Sequence, residues 1–501
     1  MNTDAICCLM SKRNNIPSKQ RALVLQGGGA LGAYEAGAVQ ALYKYLPASQ
    51  NKQSGLFDIV AGTSSGAMNG SILVSHVARN GSWQESIDKL NAFWKYVSTE
   101  PDLRYWYPYI SDKKGWISYW DIQKQMYPNS ASGEIARRYY SAKQFLCSGV
   151  PHVYLPKFST PCLPLNGSPI LDDRFFDNFG PLNNVWYLYS NGPLKESLEN
   201  FAKFPIATSS NQNQPRLLLV SVDIQEGAVV TFDSYPKEGQ GTRRESGYGE
   251  FVVPENNDQK KGHYTYTISY PQGISSDYAM ASGSVPINYT YTKIEDVNKL
   301  KTIDNHGNVT VDKTPRYFWD GGILSNTPLR ELIQSHKDYW FSVVGNEEDD
   351  ALVPDLDVYI VDVWATKEES IPWDHDAVLD RKEDLLLNDK TAYDEKTANI
   401  VSDYISLVKE FIDLAERHKI QKSEIVEILS KTTERSKHRS GYDRHYKDLI
   451  NGRFDVNVKR IERNQNIELD IWSKMLDYST DTIRQLMQDG YDDTKNSPLI
   501  R

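Results

Sequence analysis

The sequence predicts a three-layer α/β/α fold on a mainly parallel central sheet, and three observations predict it. The apolar run Ala22-Leu23-Val24-Leu25 leads through a glycine loop into a helical stripe, and Phe57-Asp58-Ile59-Val60-Ala61 leads through a sharp turn into a second one. Strands that are each followed by a helix pair in parallel and clothe the sheet in helices. Further runs of buried-strand type recur at 217–222 and 357–364, with an aromatic one at Arg316-Tyr317-Phe318-Trp319. Finally, 501 residues with 40% apolar and 24% charged side chains have the composition of a globular protein with ample core.

In chain order, 33–46 carries apolar residues at 34, 38, 39, 41, 42, 45 and 46, a broad stripe that Pro47 stops. A polar connection, 48–55, leads to the second strand. The helix over 65–79 buries Met68, Ile72, Leu73 and Val77, and Gly81 follows its end. Residues 193–201 read as helix and 217–222 as strand, which Gln225-Glu226-Gly227 turns back into 228–232 as a hairpin. The polar, glycine-rich stretch 235–262 predicts a surface loop. The block 276–286 is rich in small residues, which allow close backbone approach for an active-site wall or for tight helix–sheet packing. After a strand candidate at 287–291, the aromatic strand runs straight into Asp320-Gly321-Gly322. Thr327 and Pro328 then read as the N-cap and first position of a helix over 329–336. Residues 454–461 alternate as a strand, and a short helix over 481–489 is closed by Gly490.

These elements divide the chain into a disordered tail (1–20), a main α/β domain (21–365) with an insertion at about 100–192, and a helical insertion or extension (366–453). A C-terminal strand and helix (454–492) return to the main domain, followed by a tail (493–501). The insertion carries Tyr105, Trp106, Tyr107, Tyr109, Trp116, Tyr119, Trp120 and Tyr127. Such aromatics suit an acyl-pocket wall or a membrane interface, but packing as a cap on the sheet is their more ordinary fate. In the helical region Ile400, Val401, Tyr404, Ile405, Val408, Phe411, Ile412 and Ala415 form one amphipathic face, expected to pack on the domain.

A net charge of −10 disfavours nucleic acid as a partner and purely electrostatic docking on anionic lipid. Cys7, Cys8, Cys147 and Cys162 show no metal-ligand spacing and too few pairs for a disulfide scaffold, so a reducing, cytoplasmic setting is expected. The apolar patch at 5–10 is too short for a signal segment, and no stretch reaches membrane-spanning length. Cys7-Cys8 is open to acylation, although a plain tail is the commoner explanation.

The chemistry lies in two glycine motifs. Gly62-Thr63-Ser64-Ser65-Gly66 puts Ser64 on a strand-to-helix turn, the setting of a nucleophile elbow. Gly27-Gly28-Gly29-Ala30-Leu31-Gly32 offers bare backbone N–H groups at a helix start, where an anion binds well. Together they read as the attacking oxygen and the cradle for the charge that attack creates, hence a serine hydrolase. A dinucleotide fingerprint is the rival reading of the glycine loop. It needs an acid at the end of the next strand, where this chain has Ala61-Gly62, while Asp58 lies near that strand's start. An activated serine needs a base. None of the nine histidines ends a strand on a tight turn, whereas Asp320 does, fixed by Gly321 and Gly322.

The three motifs, in this order, resemble the patatin-like phospholipase family. The small-residue block ending Val285-Pro286, the 217–232 hairpin and Asn326-Thr327-Pro328 agree with it. The resemblance covers about 21–100 and 193–364 closely and the C-terminal end loosely. It implies a Ser–Asp dyad acting on lipid acyl esters, with no metal or other cofactor. Carried over by position, Ser64 is the nucleophile and Asp320 the general base. The N–H groups of Gly28 and Gly29 form the oxyanion hole, with Ser65 as a further candidate donor. A desolvated Asp320 with a raised pKa is expected, since a carboxylate is otherwise a weak base for serine. The implied function is phospholipase A or lysophospholipase work, cytoplasmic with scope for peripheral membrane contact. Neutral-lipid lipase or acyltransferase chemistry is the alternative. A non-catalytic lipid-binding module is disfavoured by three intact motifs.

Overall fold

The computed structural model describes residues 16–47, 55–100, 131–157, 187–236, 242–252, 263–303, 309–344, 352–368, 371–432, 445–463, 471 and 473–500. The aromatic cluster from Tyr105 to Tyr127, the cysteines at 7, 8 and 162, and most of the expected N-terminal tail lie outside them.

The main sheet has ten strands: β1 (Lys19–Leu25), β2 (Ile59–Thr63), β3 (Arg216–Asp223), β4 (Ala228–Asp233), β5 (Glu245–Val252), β6 (His263–Ser269), β7 (Thr292–Ile303), β8 (Val309–Asp320), β9 (Asp355–Asp362) and β10 (Val456–Glu462). Their order is β10-β9-β1-β2-β3-β8-β7-β6-β5, with β4 paired to β3. From β10 to β3 every pairing is parallel. From β3 outward, through β8, β7, β6 and β5, every pairing is antiparallel.

The helices are α1 (Gly32–Tyr45), α2 (Ser65–Asn80), α3 (Trp83–Val97), α4 (Ala131–Ser148), α5 (Gly192–Phe201), α6 (Ser276–Ser282), α7 (Leu329–Val344), α8 (His375–Leu387), α9 (Ala392–Arg417), α10 (Lys422–Leu429) and α11 (Thr480–Asn496), besides a single turn at Tyr446–Leu449. Alternation along the strands sorts them into layers. Leu23, Leu25, Val60, Leu217 and Leu219 share one core with α1, α2, α3, α5 and α11. Ala22, Val24, Ile59, Ala61 and Leu218 share the other with Leu329, Leu332 and Trp340 of α7. The predicted fold class is therefore found.

Several expectations are corrected. Residues 245–252, read as part of a loop, form β5, because antiparallel pairing with β6 supplies the order that their polar, glycine-containing sequence conceals. The stretch 287–291 is not a strand; Ile287 has φ +71°, outside the extended region, and β7 starts at Thr292. Gly490 does not close a helix. Helix α11 runs through it to Asn496, into what was expected to be tail. A Cβ at 490 would lie 2.0 Å from the Tyr34 carbonyl oxygen, so this glycine lets α11 press against α1. Cys147 is disulfide-bonded, against the expectation of thiols alone; a low cysteine count excludes a scaffold but not one bridge. The amphipathic face on α9 is not packed on the domain as a whole. Ile405 is buried, but Ile400, Val401, Tyr404 and Phe411 are exposed. The inward face runs instead through Ser402 and Ile405, which meet the chain entering β10: Ser402 Oγ donates to the Phe454 carbonyl at 2.5 Å.

Candidate active site

The site is built by a meeting of strand ends. Along Leu218 to Asp223, one side of β3 is taken by β4. The other side is shared: β2 pairs with Arg216 to Val220 and stops at Thr63, and β8 arrives from the opposite direction, pairing Asp320 with Ser221. Two chain segments about 250 residues apart thus abut tip to tip, and Ser64 and Asp320 occupy the tips. Thr63 Oγ1 donates to the Ser325 carbonyl at 2.9 Å, joining the two turns directly.

Ser64 sits between β2 and α2 with φ +54° and ψ −121°, a backbone conformation strained for a residue with a Cβ. Local packing forces the bend. A Cβ on Gly62 would lie 2.3 Å from the Gly66 carbonyl oxygen, and one on Gly66 would lie 2.4 Å from that of Leu25. The Gly66 N–H donates to the Gln26 carbonyl at 3.1 Å, which locks the elbow onto the glycine loop.

Asp320 is only 4% exposed. Its Oδ1 accepts the Gly322 N–H at 2.7 Å, while Oδ2 is buried with no hydrogen-bond partner among the described residues. Burial pushes its pKa up to about 6, opposed by hydrogen bonding from the Ser64 hydroxyl and by the Gly322 amide.

The small-residue block reaches both residues. Ser282 Oγ, at the end of α6, accepts the Ser64 N–H at 2.9 Å, and the Ser284 carbonyl accepts the Asp320 N–H at 2.9 Å. Small side chains let this segment lie against both turns. Composition alone hinted at such a wall without assigning the partners.

The glycine loop lies beside Ser64: a Cβ on Gly27 would be 2.8 Å from Ser64 Cβ. Of the three expected oxyanion donors, the Gly28 N–H is occupied, donating to Ser65 Oγ at 3.0 Å. The N–H groups of Gly29 and Ser65 have no acceptor among the described residues. Gly29 has φ +54°, and the Met475 carbonyl oxygen would lie 2.5 Å from a Cβ there. Gly32 closes the loop against Trp94 and Ser65. Beneath the loop is Glu35, fully buried; it accepts the Gln26 N–H at 2.6 Å and Asn69 Nδ2 at 2.8 Å. Burial raises its pKa well above the carboxylate range despite these two bonds. Asn69 Oδ1 in turn accepts Trp94 Nε1 at 3.0 Å.

A cavity of about 50 Å³ opens from Gly29, Ser64 and Ser65. Met68, Phe93, Trp94, Val97 and Leu194 give it an apolar wall, and Met475, Leu476 and Tyr478 close it. Sequence reasoning did not foresee this contribution from 475–478. Lys474 holds that segment through Asp384 at 2.7 Å and Asp380 at 3.1 Å, both on α8. No histidine is among the described residues that line the cavity. His76 lies on α2 with Nε2 2.8 Å from the Phe201 carbonyl, and burial lowers the pKa of His336 to about 3 on the far side of the sheet. Among the described residues no group of three or more His, Cys, Asp or Glu could hold a metal, and no helix is long and apolar enough to cross a membrane.

No curated protein matches the chain by sequence. Among solved structures, VipD from Legionella pneumophila aligns over 95% of this chain and 66% of its own, at 12% identity and a TM-score of 0.26. This chain thus spans just under two thirds of that protein's length. The sequence model of patatin-like phospholipases matches residues 23–333, from within β1 to within α7, which is more than half of the chain. The chain belongs to the patatin-like phospholipase family, whose members are usually lipid acyl hydrolases.

Proposed function

We propose that this protein is a serine acyl-ester hydrolase that releases fatty acid from phospholipid or related lipid esters. Ser64 Oγ attacks the ester carbonyl while its proton passes to Asp320, the general base. The negative charge on the former carbonyl oxygen is held by the N–H groups of Gly29 and Ser65. That of Gly28 joins them once Ser65 Oγ turns away. Asp320 returns the proton to the leaving alcohol or lysolipid as the C–O bond breaks. Water, deprotonated by the same carboxylate, then adds to the acyl carbonyl; the C–Oγ bond breaks, Ser64 Oγ takes the proton back from Asp320, and the fatty acid leaves.

One observation carries this reading. A strained serine and a buried carboxylate with a pKa near 6 stand at abutting strand tips, beside backbone N–H groups that have no acceptor among the described residues. A base with that pKa is ionised at neutral pH yet far more basic than an ordinary aspartate. The apolar cavity suits an acyl chain, although about 50 Å³ is well below the roughly 300–1,000 Å³ of a filled ligand pocket. Substrate entry therefore requires the side chains around Met475 to give way.

The test is hydrolysis of a lipid panel, with and without an acceptor alcohol, by wild type and Ser64→Ala. Free fatty acid from wild type alone is expected. Acyl transfer to the alcohol as the main product would replace hydrolase by acyltransferase, and turnover that survives in Ser64→Ala would remove the proposal.

A further inference from the structure

Asn326 and Trp364 lie outside the motifs, yet both hold one peptide of the glycine loop. Trp364 Nε1 donates to the Gly27 carbonyl at 2.6 Å, and Asn326 Nδ2 donates to the same oxygen at 3.1 Å. Asn326 Oδ1 also accepts the Gly27 N–H at 3.1 Å, and its Nδ2 reaches the Leu387 carbonyl at 2.6 Å. The Gly27 carbonyl and the Gly28 N–H belong to the same planar, trans peptide, so they point in opposite directions. Two donors on the carbonyl therefore fix where the Gly28 N–H aims. Without them, this peptide, flanked by glycines, would be held only by the Gly28 N–H bond to Ser65 Oγ. The neighbourhood is close: a Cβ on Gly28 would be 3.0 Å from Val363 Cγ2 and 3.5 Å from Trp364 Nε1. Gln26 adds support, accepting the Val363 N–H at 2.8 Å and donating to Thr327 Oγ1 at 2.7 Å.

We infer that Trp364 and Asn326 are positioning residues that hold the Gly27–Gly28 peptide in the orientation required for oxyanion binding. The inference rests on the proposal that the Gly28 N–H serves the oxyanion. Asn326 also lies against the turn bearing Asp320, its Oδ1 3.0 Å from where a Gly322 Cβ would be.

The test compares Trp364→Phe, which keeps a ring and removes the donor, with Trp340→Phe. Trp340 is a buried indole on α7 that donates to Gln20 Oε1 at 2.9 Å, on the opposite face of the sheet. Direct loss of an oxyanion donor lowers turnover about 10²–10³-fold, so loss of one of two anchors is expected to lower kcat about tenfold or more. KM should stay within about twofold, because the oxyanion forms only in the transition state. The pH profile should keep its midpoint, since Asp320 is untouched. Trp340→Phe should match wild-type kcat at a comparable loss of Tm. Asn326→Asp, which places an acceptor against the Gly27 carbonyl, should reproduce the kcat effect and serves if Trp364→Phe folds poorly. Wild-type kcat in Trp364→Phe and Asn326→Asp, with Ser64→Ala inactive, would overturn the inference alone. Equal kcat losses in Trp364→Phe and Trp340→Phe would do the same by tracing the effect to stability. An active Ser64→Ala would overturn the underlying site reading as well.

Discussion

Helices α2 and α9 look alike in sequence, each with apolar residues at helical spacing, but their surroundings differ completely. Every residue of α2 from Ser65 to Val77 is buried. Of the 26 residues of α9, only Ser402 and Ile405 are buried. Helix α2 lies between the sheet and the neighbouring helices α1, α3 and α5, so no face is left for solvent. Helix α9 meets the domain along one stripe near β10 and leaves Tyr404 and Phe411 more than half exposed. Position in the layers decides this difference, not helical periodicity. It also explains why the candidate nucleophile can be strained: a conformational cost of about 1–3 kcal/mol is bearable where the adjoining helix is clamped on all sides.

The contrast can be broken or sharpened by mutation. Ser64→Ala should lower lipid hydrolysis by about 10⁴-fold or more without loss of folding, read as turnover beside a circular dichroism melt. Gly66→Ala forces a Cβ to 2.4 Å from a backbone oxygen, and no flexible side chain can move aside. It should destabilise by about 4 kcal/mol or more, and denaturant unfolding will show whether the elbow is as rigid as described. Ile72→Ala, in the middle of α2, should lose about 2–5 kcal/mol. Phe411→Ser on α9 should change stability by no more than about 0.5 kcal/mol. Similar losses for Ile72→Ala and Phe411→Ser would mean that the outer face of α9 is covered in solution.

Asp320 adds a prediction of opposite sign. Its pKa rises from the ordinary 3.8 to about 6 on folding, so the folded state binds more protons than the unfolded state between those values. Stability from this group is complete below pH 3.8 and is lost as pH climbs through 6. The difference of about 2.2 pH units corresponds to roughly 3 kcal/mol at neutral pH, so Asp320→Asn should melt higher at pH 7 while losing activity. The gain should vanish below pH 4.

The parallel half of the fold was legible because β1, β2, β3 and β9 are continuous apolar runs, as strands buried on both faces must be. The outermost antiparallel strand, β5, was not, since Glu245, Ser246, Gly247 and Gly249 carry no hydrophobic signal and acquire order only through a partner strand. Gly490 misled because a glycine late in a helix reads equally as a terminator or as a contact point. In the site, Ser64 and Asp320 stood out because each follows a strand on a glycine turn. Ser282 and Trp364 did not, and Asn326 entered only through the family resemblance without a role, since their roles are hydrogen bonds to backbone groups brought near only by the fold. Lys474 and Met475 were hidden for the same reason, more than 400 residues from the loop they cover.

The most direct test of the account is the pH dependence of Ser64 labelling by a fluorophosphonate, measured as a second-order rate in wild type and Asp320→Asn. The rate in wild type should rise with pH to a plateau, with its midpoint near 6, while Asp320→Asn should be slow and flat across that range. A midpoint that persists unchanged in Asp320→Asn would show that another group activates the serine, and would contradict the dyad.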